Sequence, residues 1–362
     1  MVWGANMTIP RAFFVILATL TLTSSASVAA TFVYVSLDGE NRIVIYQANE
    51  AGELTHIGDS KLDHAPGSLA ISPSGDYLFA ALRTAGYVAS FRIDQSSGQL
   101  SPINQVGKGK DTAFVATDRT GRYLLAADYI VGFVAVYRIG ADGTLSEMPA
   151  DERTTDIRAH AILTDPSNRF ALVPHTAPNS IHQFKFDDQT GKLTPNQPPV
   201  VKTAPDTGPR QLAFHPNGRV AYFDYEQGSA VAAFDFDPSR GTLTFRERLP
   251  TIPAGTKQEN TNARLEMTRD GRFLYVANRG HHSLAGFQVD DNTGKLHPLG
   301  HTATEAVPRG FGIDPTGKFL YAAGEATGKL AAFRIGARGH LKRLGTYPVG
   351  ERPWWVLVTR YD

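Results

Sequence analysis

The chain of 362 residues contains no cysteine. That excludes a thiolate nucleophile, a cysteine-ligated zinc site and a disulfide framework, so the fold is held by packing alone. An excess of one charge is also missing. With 36 Lys+Arg against 35 Asp+Glu the formal net charge is +1, and nothing in that balance calls for nucleic acid or another polyanion as a partner. Long apolar runs are absent too: the longest, AFFVILATLTL from Ala12 to Leu22, falls short of the roughly 20 residues that cross a bilayer. No stretch of helical period exceeds a few residues. The G-x-S-x-G elbow, the P-loop, the zinc-binding H-E-x-x-H pattern and the dinucleotide glycine motif are missing as well, which removes the chemistries they carry.

What remains is a chain with 42% hydrophobic residues, 34 glycines and 22 prolines, enough for a large core and many turns. Arg11, the apolar stretch after it and the small residues of SSASVAA predict a cleaved export signal over residues 1–30. Residues 31–362 are then expected to form one domain, located in the periplasm or secreted, with no membrane contact once the signal is removed.

That domain is one motif written seven times. The triplet Gly-x-Leu recurs with its leucine at Leu54, Leu100, Leu145, Leu193, Leu243, Leu296 and Leu341, a period of about 48 residues. A turn followed by an apolar strand recurs six times, as in SPSGDYLFAA, DRTGRYLLAA and DPTGKFLYAA. An alternating apolar element such as FVAVYRI or KLAAFRI follows each. These β-branched and aromatic runs between Gly, Pro, Asn and Asp predict an all-β fold of four-stranded antiparallel blades, a seven-bladed β-propeller. After residue 30 the chain supplies only three strands of its first unit, and it ends in WWVLV, a first strand with nothing after it. The termini are therefore expected to share one blade and close the ring, leaving no free sheet edge.

Registering the units on their turn residues (Gly75, Gly121, Asn168, Gly218, Gly271, Gly317) locates the chemistry. Eight positions before the turn stand Gly67, Ala113, His160, Arg210, Ala263 and Arg309, with Trp354 in the last unit. Eight positions after it stand Arg83, Tyr129, Thr176, Glu226, Arg279 and Glu325, with Asp38 in the first. A purely structural position would repeat one residue type, and both columns diverge. One mouth of the channel is thus expected to collect His160, Arg210, Glu226, Arg309, Arg279, Trp354, Tyr129 and Asp38 as a ligand site. Guanidinium forks suit carboxylate or phosphate, and a histidine and a carboxylate can move protons. Small residues in the same column predict that Arg210 or His160 can be cut back to alanine at little cost in stability. Arg83, Arg279 and Arg309 stand among Asp38, Glu226 and Glu325, and those cations would oppose a divalent ion, so no metal and no cofactor are expected. His281 and His282 are neighbours whose side chains diverge, a poor metal site. His215, in the turn HPNG, is expected to cap that turn or lie on the surface.

The segments GPRQLAFHPNGRVAY, DYEQGSAV, DGRFLYVANRGHHSLAGF and VPRGFGIDPTGKFLYAAGE resemble the bacterial lactonase-type seven-bladed propellers. That family includes 6-phosphogluconolactonase and is related to the fungal 3-carboxymuconate lactonizing enzyme. The resemblance spans the mature chain and implies that its active-site His, Arg and Glu fall on His160, Arg210 and Glu226, with a further Arg at Arg279 or Arg309. The sequence departs from the family pattern at Ala113-Phe114, at Arg264 and at Asp128-Tyr129, positions that bear on substrate. The implied function is an exported, metal-independent lactonase opening an anionic, sugar-acid type lactone. The alternatives are a muconate-type cycloisomerase acting on a diacid and a non-catalytic propeller that binds a ligand or protein. A monomer is expected.

Overall fold

The computed structural model describes residues 1–8, 29–107 and 109–362. The expected export signal falls mainly on residues 9–28, outside the described residues. From Ala30 onward the chain forms seven four-stranded antiparallel sheets. Six of them are continuous in sequence. Their innermost strands are Pro66–Ile71, Thr112–Thr117, Leu163–Thr164, Pro209–Phe214, Asn262–Met267 and Pro308–Ile313. The remaining blade is assembled from both ends: Pro353–Tyr361 is its innermost strand and pairs with Ala30–Leu37, from Tyr361 opposite Ala30 to Trp355 opposite Ser36. The expected shared blade is what closes the ring.

Each Gly-x-Leu motif does more than make a turn. All seven glycines, from Gly52 to Gly339, have positive φ, a backbone region that costs an L side chain energy. In addition, a Cβ at Gly52 would collide with the ring of Phe319, one at Gly98 with Phe32, and one at Gly241 with Phe170, each in an adjacent blade. The Tyr34 hydroxyl donates to the Gly98 carbonyl at 2.9 Å, Tyr275 to Gly339 at 2.7 Å and Tyr222 to Gly294 at 2.6 Å. The motif is therefore a joint between blades as well as a hairpin.

One local expectation needs correction, and one copy of the motif departs from the others. The third strands read as alternating, yet Tyr87–Ile93 is buried through Val88, Ala89, Ser90 and Phe91 and alternates only at its end. Both faces of a blade press on neighbours, so the burial is two-sided as in a sheet covered on both sides. In the third sheet Leu145 does not open the outer strand. It forms an isolated bridge with Ile139, and the strand starts six residues later, at Asp151. The intervening Pro149 has no N–H to offer the ladder.

Candidate active site

The variable column lies on irregular backbone. In the blades whose inner strands carry Gly67, Ala113, Arg210, Ala263, Arg309 and Trp354, the pairing with the second strand shifts register at that residue. A bulge puts an extra residue on one strand and re-aims its side chain. In the sheet carrying His160 the ladder breaks altogether. The facing residue is Pro174, whose carbonyl accepts the His160 N–H at 3.0 Å but which has no N–H to return. Pairing there resumes only at Leu163. Bulges aim the column into one cleft over the central channel.

His160, Arg210, Arg309 and Trp354 line that cleft, over a floor that includes Gly67 and Ala113. Arg83 joins them. Sequence reasoning placed Arg83 in the second column but not in the site, although the column itself carried the signal. Its aliphatic stem lies on Gly67, where a Cβ would come within 2.9 Å of Cγ. Its guanidinium is held by both Asp111 oxygens at 2.6 Å, a bidentate fork that fixes its orientation. The other expected residues stand one step back. Glu226 pairs closely with Arg279 and lies 3.7 Å from Arg210 Nε. Arg279 also donates to the Asn262 carbonyl at 3.0 Å. Glu325 accepts from Trp354 Nε1 at 3.0 Å and approaches Arg309 at 3.5 Å, while Arg309 stacks 4.0 Å from the Trp354 ring. Tyr129 meets His160 edge to face at 5.4 Å. Asp38 does not line the cleft, because its carboxylate is tied to Arg352 at 2.9 Å.

The cleft residues are deeper than their column suggested. Arg210 is 3% and His160 5% exposed, so the expectation of alanine variants at little cost is withdrawn: removing a buried guanidinium strands the carboxylates around it. Burial lowers the Arg210 pKa to about 9 and that of Arg309 to about 10, and both stay cationic at neutral pH. Burial, then the charges of Arg210, Arg83 and Arg309, hold the His160 imidazole far below its usual range and therefore neutral. For Glu226 burial acts upward, but Arg210 and Arg279 outweigh it and keep the carboxylate ionised. Asp224, an acid alone in the apolar strand Val220–Tyr225, is fully buried and pushed up to about 7 by desolvation against the pull of Arg210. The Arg210 Nε and Nη1, the Arg279 Nε and the His160 Nδ1 have no hydrogen-bond partner among the described residues. Buried guanidinium donors left unpaired are costly, and the carboxylates of Glu226 and Asp224 stand beside Arg210 to offset its charge.

Among the described residues no group of three or more His, Cys, Asp or Glu could hold a metal ion. His281 turns to Ser283 at 2.7 Å, while His282 accepts from the Val307 N–H at 3.2 Å, so the two diverge as expected. His215 accepts from the Asn217 N–H at 3.2 Å and caps its turn, but it is buried rather than superficial.

A second buried histidine carries a prediction. His175 packs against His182 with ring centroids 4.5 Å apart, and burial, then His182, lower its pKa to about 3. Above pH 6.5 both folded and unfolded chains hold it neutral. Below 6.5 the unfolded chain takes up a proton that the folded one refuses, so stability falls as pH falls, down to about pH 3. At pH 5 the loss from this group is about 2 kcal/mol. In urea unfolding at pH 7.5 and pH 5, His175→Gln should lose correspondingly less stability than wild type. An unchanged pH dependence in the variant would show that His175 titrates normally in the fold.

These features define a class: a closed seven-bladed β-propeller with a buried, arginine-rich cleft over its channel. The sequence is matched over residues 19–107 and 84–358 by the family described as "Lactonase, 7-bladed beta-propeller", and the chain belongs to that family. It is 33% identical over 331 residues to the 6-phosphogluconolactonase of Pectobacterium carotovorum, covering 91% of this chain and 99% of the relative. With the 6-phosphogluconolactonase of Serratia proteamaculans it shares 33% identity over 330 residues, 90% and 98% of the two chains. Among solved structures, the periplasmic gluconolactonase of Pseudomonas aeruginosa superposes with a TM-score of 0.85 at 25% identity, over 91% of this chain and 99% of that one. No described helix is long and apolar enough to cross a membrane.

Proposed function

We propose that the protein is a lactonase that opens an anionic lactone to its hydroxy acid in the cleft between His160, Arg83, Arg210 and Arg309. The observation that carries this reading is a neutral, buried imidazole ringed by three arginines, two of which have buried or stacked guanidiniums. Arg83 and Arg309 hold the acid group, and the Arg210 guanidinium stabilises the carbonyl oxygen where negative charge develops. His160 takes a proton from water as the water oxygen bonds to the carbonyl carbon. The ring C–O bond then breaks, and the ring oxygen takes that proton. The three cations keep His160 neutral in the free protein, and a bound anion offsets their field and raises its basicity when it is needed. Glu226 does not line the cleft. Its role is to hold Arg210 and Arg279 in place, which favours His160 over Glu226 as the base. Relatives named 6-phosphogluconolactonase and gluconolactonase support the reaction class.

The reading includes export and independence of metal. The basic, apolar and small-residue pattern of residues 11–30 supports export, as does a structural relative named periplasmic. One experiment tests the whole: protein recovered from the periplasmic fraction and dialysed exhaustively against EDTA is assayed by pH-stat on glucono- and 6-phosphoglucono-lactone. The expected result is a chain starting near Thr31 that retains full activity. Loss of activity on chelation with recovery on adding calcium or zinc would end the metal-free reading.

A further inference from the structure

Six large apolar side chains are exposed among the described residues from 29 onward. Met148, Phe245 and Leu344 are scattered singly over three blades, which is ordinary. Ile130, Val131 and Ile157, 56%, 47% and 57% exposed, lie on two adjoining segments, one following Tyr129 and the other leading to His160. Ile130 and Val131 sit in the hairpin that leaves Tyr129, the residue edge-on to His160. Ile157 sits in the segment that leads to His160. The two segments lie against each other: the Thr155 N–H donates to the Gly132 carbonyl at 2.8 Å and the Arg158 N–H to the Tyr129 carbonyl at 2.7 Å.

This apolar lip is fixed to the arginine network of the cleft. The Asp128 carboxylate accepts the Val131 N–H at 2.7 Å through one oxygen, and the Lys110 and Asp111 N–H groups at 2.7 and 2.9 Å through the other. Asp111 in turn clamps Arg83. One buried acid thus sets both the hairpin that carries Ile130 and Val131 and the partner of a cleft cation. The lip is continuous with the site through Tyr129 and is held in a defined position relative to it.

Resting on the lactonase reading above, we propose that the substrate is amphiphilic: a lactone acid whose anionic group enters the arginine cleft and whose alkyl or aryl substituent leaves past Tyr129 to cover Ile130, Val131 and Ile157. A fully hydroxylated sugar lactone leaves those three side chains in water. An apolar arm removes them from it, a gain proportional to the area covered.

The test compares a five-membered-ring lactone carboxylate carrying a hexyl chain with its unsubstituted parent, on wild type and on Ile130→Gln/Ile157→Gln. The side chains are exposed, so melting temperature should be unchanged, and it is measured as a control. Wild type should show kcat/KM at least tenfold higher on the hexyl compound, and the variant should lose about tenfold on that compound while staying within twofold on the parent. Equal rates on the two compounds, or a variant that keeps the preference, overturns the inference while leaving the lactonase reading intact. A variant that changes only self-association by light scattering, or only binding to anionic vesicles, overturns it in favour of a second copy or a bilayer on the lip. If wild type opens neither compound nor the glucono-lactones, the catalytic reading falls and this inference with it.

Discussion

Deletion of residues 354–362 is expected to leave no soluble, cooperatively folding protein. The segment is the innermost strand of the shared blade. It brings Trp355, Val356 and Val358, each 9% exposed or less, into the ring. Val356 and Val358 pack with Tyr321, Ala323 and Ala332 of the preceding blade, and Trp355 belongs to the core that includes Leu69 of the following one. Three such side chains represent about 5–9 kcal/mol of burial, comparable to the whole stability of a typical domain. The deletion also uncovers the hydrogen-bonding edge of Ala30–Leu37, an apolar edge open to pairing with other chains. A rescue separates this from a general intolerance of truncation. Tyr361 lies opposite Ala30 in an antiparallel pair, so residues 353–362 moved in front of Ala30 through a short turn should restore the strand and the melting transition. A truncated protein that melts like wild type would show that the ring does not depend on the shared blade.

That blade was legible in the sequence because counting is robust: there are seven Gly-x-Leu motifs, and the strand missing at one end reappears at the other. The glycines announce themselves because their backbone conformation leaves few substitutes. Their second role, receiving Phe319, Phe32 or Phe170 from the next blade, was not legible, since it joins residues tens to hundreds apart through the closure of the ring. The two site columns were visible as positions where a repeating sequence stops repeating. Depth was not. Whether Arg210 points to solvent or into a closed cleft depends on a bulge in the Pro209–Phe214 pairing, and a bulge changes one local hydrogen bond pattern without changing residue spacing. Arg83 was passed over for a related reason. Its significance lies in the fork with Asp111, 28 residues away in the next blade, and a single arginine in a loop reads the same whether or not its head is clamped. Pro174, which frees the backbone at His160, sat in view as one residue in an apolar strand.

The depth of the cleft decides how catalysis must be separated from scaffolding. Arg210→Ala is a poor probe: it removes the cation beside the buried Asp224 and leaves Glu226 with Arg279 alone, a change expected to cost on the order of 3–5 kcal/mol, and loss of activity would then follow from unfolding. Arg210→Lys keeps the charge and gives up the planar fork. It should stay folded, raise KM and lower kcat together, because both the bound anion and the developing oxyanion lose a directed donor. His160→Asn keeps a polar group of similar shape that cannot take a proton. It should lower kcat about a hundredfold or more while leaving KM near wild type, and its melting temperature should fall less than that of wild type in mild acid, since the refused proton at His160 is removed with the imidazole. The contrast between the two variants is the test. If both lose activity only in proportion to their folded fraction, the arginines and histidine serve to pin the inner strands, and the cleft is a structural network in a propeller that binds without catalysing.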